Sequence, residues 1–408
     1  MRSLKDEQYR SPEPPTLSQA EIDEDPHGIY RRLRPITPVI RREGGSYIAI
    51  RGRDVQQLAT DPRIRKSETE VLRARGITEG PIFEIFSKSM LYSNGQDHRR
   101  RRLPMSRAVA FKLIDALRPK IRSVADALID RHFSSGAMSF MDDFCAVIPA
   151  HLICMILGLP ELDIPRFTHW VHSLSRYFGF SFLPAEIPGI QTAAMELAQY
   201  MRKLLDARRE APRDDFLSSF VATAERDGTL SAAERLAQIL TVIVGGIDTT
   251  RGAMAVQVAL LLQHREQWDA VRTDEAPIPG AVSEALRFEP VGGSISRVTV
   301  EDIRLDQYIV PSNSVLSLST LSAMRDPDLY HEPDIFDIRR ADHPRLHPVF
   351  GAGAHRCLGE ALARAELEET LAAVVSRLPQ LRLAGNPPVV HGHSGIRRVG
   401  SMHVSWPT

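Results

Sequence analysis

The chain has 408 residues, 43% hydrophobic and 25% charged, a composition suited to a globular protein with a sizeable core. Lys+Arg and Asp+Glu are both 51, so the formal charge is zero and no global field argues for nucleic acid. The three cysteines, Cys145, Cys154 and Cys357, give no disulfide framework and fit a reducing cytoplasm.

Residues 1–28 are polar and proline-rich, with no apolar run for a signal or a membrane anchor. They read as an irregular lead-in. A short helix over 30–33 ends at Pro35 and Pro38. Residues 39–42 and 46–50 flank Glu43-Gly44-Gly45 and predict a hairpin, with a helix over 54–59 after it. Residues 63–92 read as loop with short helical turns. His98-Arg99-Arg100-Arg101-Arg102 then sets His98 and Arg102 four apart. On a helix they share a face and can hold carboxylates.

Residues 111–133 have helical periodicity, with Pro119 predicting a break into two helices. Residues 144–157 read as an apolar helix with Cys145 and Cys154 in the core. Phe167, Trp170, Tyr177, Phe178, Phe180 and Phe182 crowd the next stretch. Pro184 and Pro188 break the pattern before a helix over 191–209.

Residues 232–267 read as one long helix. Asp248 and Arg251 interrupt its apolar run, which argues against a membrane span. Its middle, Val244-Gly245-Gly246-Ile247-Asp248-Thr249, is poor in helix formers, a mismatch that marks function or close packing. The glycines would let a flat ligand approach the backbone. A threonine hydroxyl could bond back to a carbonyl one turn earlier. Glu284 and Arg287, three apart on a helix over 281–287, can pair. Residues 290–297 read as a turn entering a strand, where Gly292 and Gly293 suggest room. Residues 301–316 read as a hairpin.

The stretch Phe350-Gly351-Ala352-Gly353-Ala354-His355-Arg356-Cys357-Leu358-Gly359 precedes a helix over 358–378. Gly351 and Gly353 permit backbone angles that other residues resist, and Gly359 lets a bulky group come close. A helix start favours the anionic sulfur. A lone thiolate so held can be the axial ligand of a haem iron.

The spelling Phe-x-x-Gly-x-His-x-Cys-x-Gly resembles the cysteine-ligand loop of the cytochrome P-450 superfamily, the haem-thiolate monooxygenases. Gly245, Gly246, Asp248 and Thr249 resemble its oxygen groove, and Glu284-x-x-Arg287 falls between the two as it does there. The resemblance covers essentially the whole chain. It implies a mainly α fold with a small β portion, one domain over 1–408, binding one haem b. Cys357 would ligate the iron within the loop set by Phe350, Gly351 and Gly359. Asp248 would relay protons from solvent, and Thr249 would hold the hydroperoxide and a water by hydrogen bonds. His98, Arg102, Arg297 and His355 would hold the propionates. Glu284 and Arg287 would form a structural network with Arg340, Arg339 beside it being the competitor. Residues 63–92 and the helices around 163–209 would cover the substrate. Val244, Val291, Ile295 and Ile396 would line its pocket.

The implied reaction inserts one atom of dioxygen into a small, largely apolar organic substrate and reduces the other to water. Electrons would come from a separate ferredoxin or flavodoxin with an NAD(P)H-dependent reductase, some of Arg99, Arg100 and Arg101 marking the docking face. The expected protein is a cytoplasmic monomer without a membrane anchor. A peroxide-driven peroxygenase and a non-catalytic haem sensor are the alternatives. Asp248 and Thr249 argue against the first, because peroxide chemistry needs no proton relay.

Overall fold

The computed structural model describes residues 11–73, 76–108, 111–178, 184–274 and 277–408. The lead-in is more ordered than expected. β1 (Thr16–Leu17) pairs in parallel with β2 (Val39–Arg42). α1 (Gln19–Glu24) starts from a capping box in which Ser18 and Glu21 satisfy backbone N–H groups reciprocally. α2 (Pro26–Leu33) follows, capped by Asp25 with Pro26 in its first turn. β2 and β3 (Tyr47–Ala49) form the predicted hairpin, and α3 (Gly52–Leu58) the predicted helix. The expected loop over 63–92 contains β4 (Ile64–Arg65), α4 (Glu70–Arg73) and α5 (Pro81–Ser87).

α6 (Gly95–Ala108) carries His98 and Arg102. α7 (Phe111–Phe133) runs through Pro119 without the expected break. After β5 (Ala137–Ser139), a π-helical turn (Phe140–Cys145) precedes α8 (Val147–Ile156). The apolar stretch from Phe144 is therefore two pieces, joined where the Ala146 N–H donates to Met141 O. Cys145 and Cys154 are buried, as expected. α9 (Ile164–Phe178) buries Phe167 and Trp170. Phe180 and Phe182 lie outside the described residues, as do the side chains of Tyr177 and Phe178. α10 (Ile187–Glu210) holds Pro188 in its first turn, where a proline is tolerated, so that residue does not break it.

α11 (Phe216–Asp227) leads into α12 (Ala232–Gln263), which opens on a Ser231–Glu234 capping box. α12 stops at Gln263 and not at Gln267, because His264 leaves helical geometry (φ −116°, ψ 73°) before α13 (Arg265–Arg272). α14 (Ile278–Phe288) carries Glu284 and Arg287. The strands β6 (Ser294–Thr299), β7 (Ile303–Leu305), β8 (Tyr308–Val310) and β9 (Val315–Ser319) follow. The expected 301–316 hairpin is the shorter β7–β8 pair, turning at Asp306 (φ 51°). Residues 315 and 316 belong to β9. Then come α15 (Thr320–Ala323), α16 (Glu360–Arg377), β10 (Arg382–Leu383), β11 (Val390–His391), β12 (Arg398–Val399) and β13 (His403–Ser405). At the C-terminal end β11 and β12 pair with each other as a hairpin, while β13 joins β10 and β5.

The main sheet has the order β1-β2-β3-β9-β6-β4. The helices pack in two apolar clusters that share α12. One gathers α7, α8, α14 and α16, and the other α5, α9, α10 and α11. α12 is long and apolar enough to cross a membrane by length and composition, but 67% of that window is buried inside the fold. α7 stays whole because α16 holds both of its halves. Arg118 meets Glu368 (2.8 Å) and Glu369 (2.9 Å), Arg377 meets Asp126 and Asp130, and Ile114, Leu117 and Ile121 are buried between them. That packing outweighs the roughly 3 kcal/mol that an interior proline costs.

Candidate active site

Several contacts hold the cysteine loop. The Cys357 N–H donates to Phe350 O at 2.7 Å. Gly351 (φ 74°) and Gly353 (φ 63°) take left-handed angles that the turn requires. Arg356 reaches Gly351 O (2.7 Å) and Glu360 (2.6 Å), and Arg102 on α6 donates to Arg356 O (2.6 Å). A side chain on Gly359, the cap of α16, would meet nothing within 4 Å.

Cys357 is the one exposed cysteine of the three. It is also desolvated. Burial pushes its thiol up, while the Gly359 N–H, Arg102 and Arg356 pull the other way. Accessible yet desolvated is the condition of a group facing an internal cleft. The expected preference of a helix start for thiolate is outweighed here by desolvation, which a facing cation would offset.

Gly245 is exposed in the middle of α12, and a Cβ there would meet nothing within 4 Å. Gly246 does not share this opening, contrary to expectation. One residue turns it toward α8, where a Cβ would stand 3.2 Å from Ile153 Cδ1. Thr249 Oγ1 donates to Gly245 O (3.0 Å) and Thr250 Oγ1 to Gly246 O (3.3 Å). Asp248 lies 3.3 Å from Arg251. His172 on α9, which no sequence motif marks, belongs to this group. Burial and Arg251 push its imidazole down, while Asp248 pulls it up. Its Nε2 and Asp248 Oδ1 are buried without a hydrogen-bond partner.

The four residues expected to hold carboxylates gather in one place. The His98 and His355 rings are 4.0 Å apart, and His98 Nε2 is buried without a partner. Burial, then Arg102 and Arg99, push His98 down to about 4. Burial, then His98, Arg297, Lys66 and Arg102, push His355 down to about 3. Arg297 is 4% exposed, makes its one described hydrogen bond to Ser296 O, and is pushed down to about 10 by burial. Among the described residues no carboxylate pairs with Arg102, Arg297 or Lys66. A dry basic cluster without an acid suits a ligand that brings its own carboxylates, as haem does. The open ground at Gly245 and Gly359 suits a flat one.

The second arginine cluster is closed on itself. Arg287 forks onto Glu284 at 2.7 and 2.8 Å, and both are fully buried. Arg340 Nε lies 3.2 Å from Glu284, whereas Arg339 is exposed, so Arg340 takes the third place. Arg287 also donates to Met324 O and Pro333 O, and the Asp337 N–H donates to Glu284. Of the arginine run on α6, Arg99 is exposed, while Arg100 (2.6 Å) and Arg101 (3.1 Å) engage Glu234 at the start of α12.

The expected pocket residues divide. Ile295 and Ile396 are half-buried, and Ile295 Cδ1 lies 3.9 Å from where a Cβ on Gly351 would be. Val244 and Val291 are buried, Val291 against Gly252 of α12. Gly293 leaves no room, whereas a Cβ on Gly292 would meet only ordinary contact, Val349 Cγ2 at 3.7 Å. The terminal hairpin closes over them, Gly292 bridging Ile396 and His393 O standing 2.9 Å from a Cβ on Gly293.

A profile of the cytochrome P450 family matches residues 81–276 and 278–384. The chain is 39% identical to the plant-inducible cytochrome P450-pinF1 of Rhizobium radiobacter, over 96% of this chain and 93% of that one. It is 30% identical to the cytochrome P450 monooxygenase PikC of Streptomyces venezuelae, over 96% and 95%. The solved structure of the myxobacterial cytochrome P450 CYP267B1 in complex with myristic acid matches with a TM-score of 0.86 at 31% identity, covering 95% of this chain and 98% of that one. The expected mainly α fold with a small β portion is the one observed.

Proposed function

Because this chain belongs to the cytochrome P450 family, we propose that Cys357 would supply the thiolate ligand of its haem iron and that Asp248 and Thr249 would handle protons. Family membership makes it an oxidoreductase, a haem b monooxygenase. When bound, haem supplies the iron at which dioxygen is reduced, one oxygen atom passing to substrate and the other to water.

The observation that carries this reading is the pairing of one accessible, loop-held cysteine with the half-buried Arg102 and the buried Arg297, which no carboxylate meets among the described residues. His98, Arg102, Arg297 and His355 would hold the two carboxylates. Gly245 leaves the backbone of α12 open to a small ligand. The Thr249 hydroxyl, parked on Gly245 O, has a proton to give when that bond opens. Asp248, tethered to Arg251 and acting by its charge on His172, can pass protons inward. Glu284, Arg287 and Arg340 act through structure, fixing the segment ahead of the cysteine loop.

The substrate of this proposal is a small, largely apolar organic molecule reaching Ile295 and Ile396. The electron donor is a separate ferredoxin or flavodoxin with its NAD(P)H-dependent reductase. The exposed Arg99 suits an acidic donor, and the free cysteines suit the cytoplasm. Residues 1–408 would act as one monomeric catalytic domain.

The test compares turnover driven by NAD(P)H, reductase and ferredoxin with turnover driven by hydrogen peroxide alone. The first should dominate in the wild type. Thr249→Ala should keep its haem, continue to oxidise NAD(P)H, and lose product about a hundredfold as peroxide accumulates. Equal wild-type turnover with peroxide alone would overturn the proton-delivery reading.

A further inference from the structure

Lys66 follows β4 directly, at the edge of the cation cluster. β4 pairs antiparallel with β6, Ile64 facing Thr299 and Arg65 facing Val298. One more step in that register sets Lys66 across from Arg297. Like charges directly across a ladder repel. Here both are also desolvated, and no carboxylate pairs with either among the described residues. Burial, then Arg297, push the Lys66 ammonium down to about 8. Lys66 Nζ stands 5.4 Å from the centroid of the Tyr92 ring, and His355 feels its charge as well as that of Arg297.

The position is built. Asn94 grips the backbone of Lys66 with both ends of its amide. The Lys66 N–H donates to Asn94 Oδ1 (2.9 Å), and Asn94 Nδ2 donates to Lys66 O (2.9 Å). Asn94 O in turn accepts from the His98 N–H (3.1 Å). One side chain thus locks Lys66 to the start of the helix that carries His98 and Arg102.

We propose that Lys66 is a haem-binding residue, sharing one propionate carboxylate with Arg297 while His98 and Arg102 serve the other. This rests on the reading of Arg297, His98 and Arg102 as propionate partners and extends it. A carboxylate between Lys66 and Arg297 converts a repulsive pair into a bridged one with charge-assisted hydrogen bonds. Without it, two desolvated cations face each other.

The test is transfer of haem from the holoenzyme to excess apomyoglobin, for protein loaded with native haem and with haem dimethyl ester. Lys66→Met should release native haem about tenfold faster than wild type, and Lys66→Arg at nearly the wild-type rate. The thermal midpoint of the haem-free protein should not fall in Lys66→Met. With the dimethyl ester, whose propionates carry no charge, Lys66→Met and wild type should release at the same rate. A Lys66→Met effect that persists with the ester would overturn the proposal, because the lysine would then be acting on the fold. Arg297→Met separates the two layers. Fast release from Arg297→Met with wild-type release from Lys66→Met would overturn the role of Lys66 alone. Wild-type release from both would overturn the propionate reading beneath it.

Discussion

Arg287 and Arg297 stand close in sequence and both are nearly inaccessible, at 0% and 4% exposure. Arg287 spends its donors on Glu284 and on the carbonyls of Met324, Pro333 and Ile335. Arg297 has one described carbonyl partner, Ser296 O, and its charge acts on Lys66 and His355. Both sites remove guanidinium from water. Only the first supplies the compensating carboxylate. A buried charge with a full set of partners holds a fold together, and removing one partner leaves the other stranded. A buried charge without partners is an expense in the empty protein that a ligand offsets. The two clusters should therefore respond to mutation with opposite signs.

The largest effect belongs to the closed cluster. Glu284→Ala strands Arg287 and Arg340 and should lower the stability of the haem-free protein by about 3–5 kcal/mol, read by denaturant unfolding. The open cluster gives the contrast. Arg297→Met should leave the unfolding midpoint of the haem-free protein unchanged or higher, while haem release from the holoenzyme rises about tenfold. If Arg297→Met lowered haem-free stability as Glu284→Ala does, the distinction between the clusters would collapse.

A smaller effect comes from pH. His347 is buried beside the closed cluster, its Nε2 3.1 Å from Ser283 O. Burial, then His343, Arg364 and Arg287, push it down to about 3, against the Ser283 carbonyl. The unfolded chain keeps an ordinary imidazole near 6.5. Between those values the unfolded state binds the extra proton. Stability therefore falls as pH drops from about 6.5 toward 3, by at most about 1.4 kcal/mol per pH unit, and is unaffected by this group above that window. His347→Gln should flatten that part of the profile in unfolding midpoints measured at pH about 7.5 and about 5.5. An unchanged acid slope would mean that other groups set it.

The cysteine loop and the Gly-x-Asp-Thr stretch were legible because their chemistry fixes residue types at short, constant spacing. The helices were legible from periodicity, and Glu284–Arg287 from helical geometry. What was not legible depended on distant partners. Nothing local says that α16 would carry α7 through Pro119. Gly245 and Gly246 are interchangeable in a string of letters, yet one step of helical phase opens the first and packs the second on Ile153. Lys66 is an ordinary lysine until the β4–β6 register, carried one step past Arg65, sets it across from Arg297. His172 likewise acquires meaning from Asp248 and Arg251 on another helix. Gly293 suggested open space, and His393 from the far end of the chain fills it.

The central assignment is that Cys357, and neither Cys145 nor Cys154, ligates the iron. The reduced carbon-monoxide complex reports it directly through the position of its Soret band. Cys145→Ser and Cys154→Ser should keep the thiolate position of the wild type, and Cys357→His should move the band to the imidazole position. A Cys357→His protein that kept the wild-type band would contradict the account.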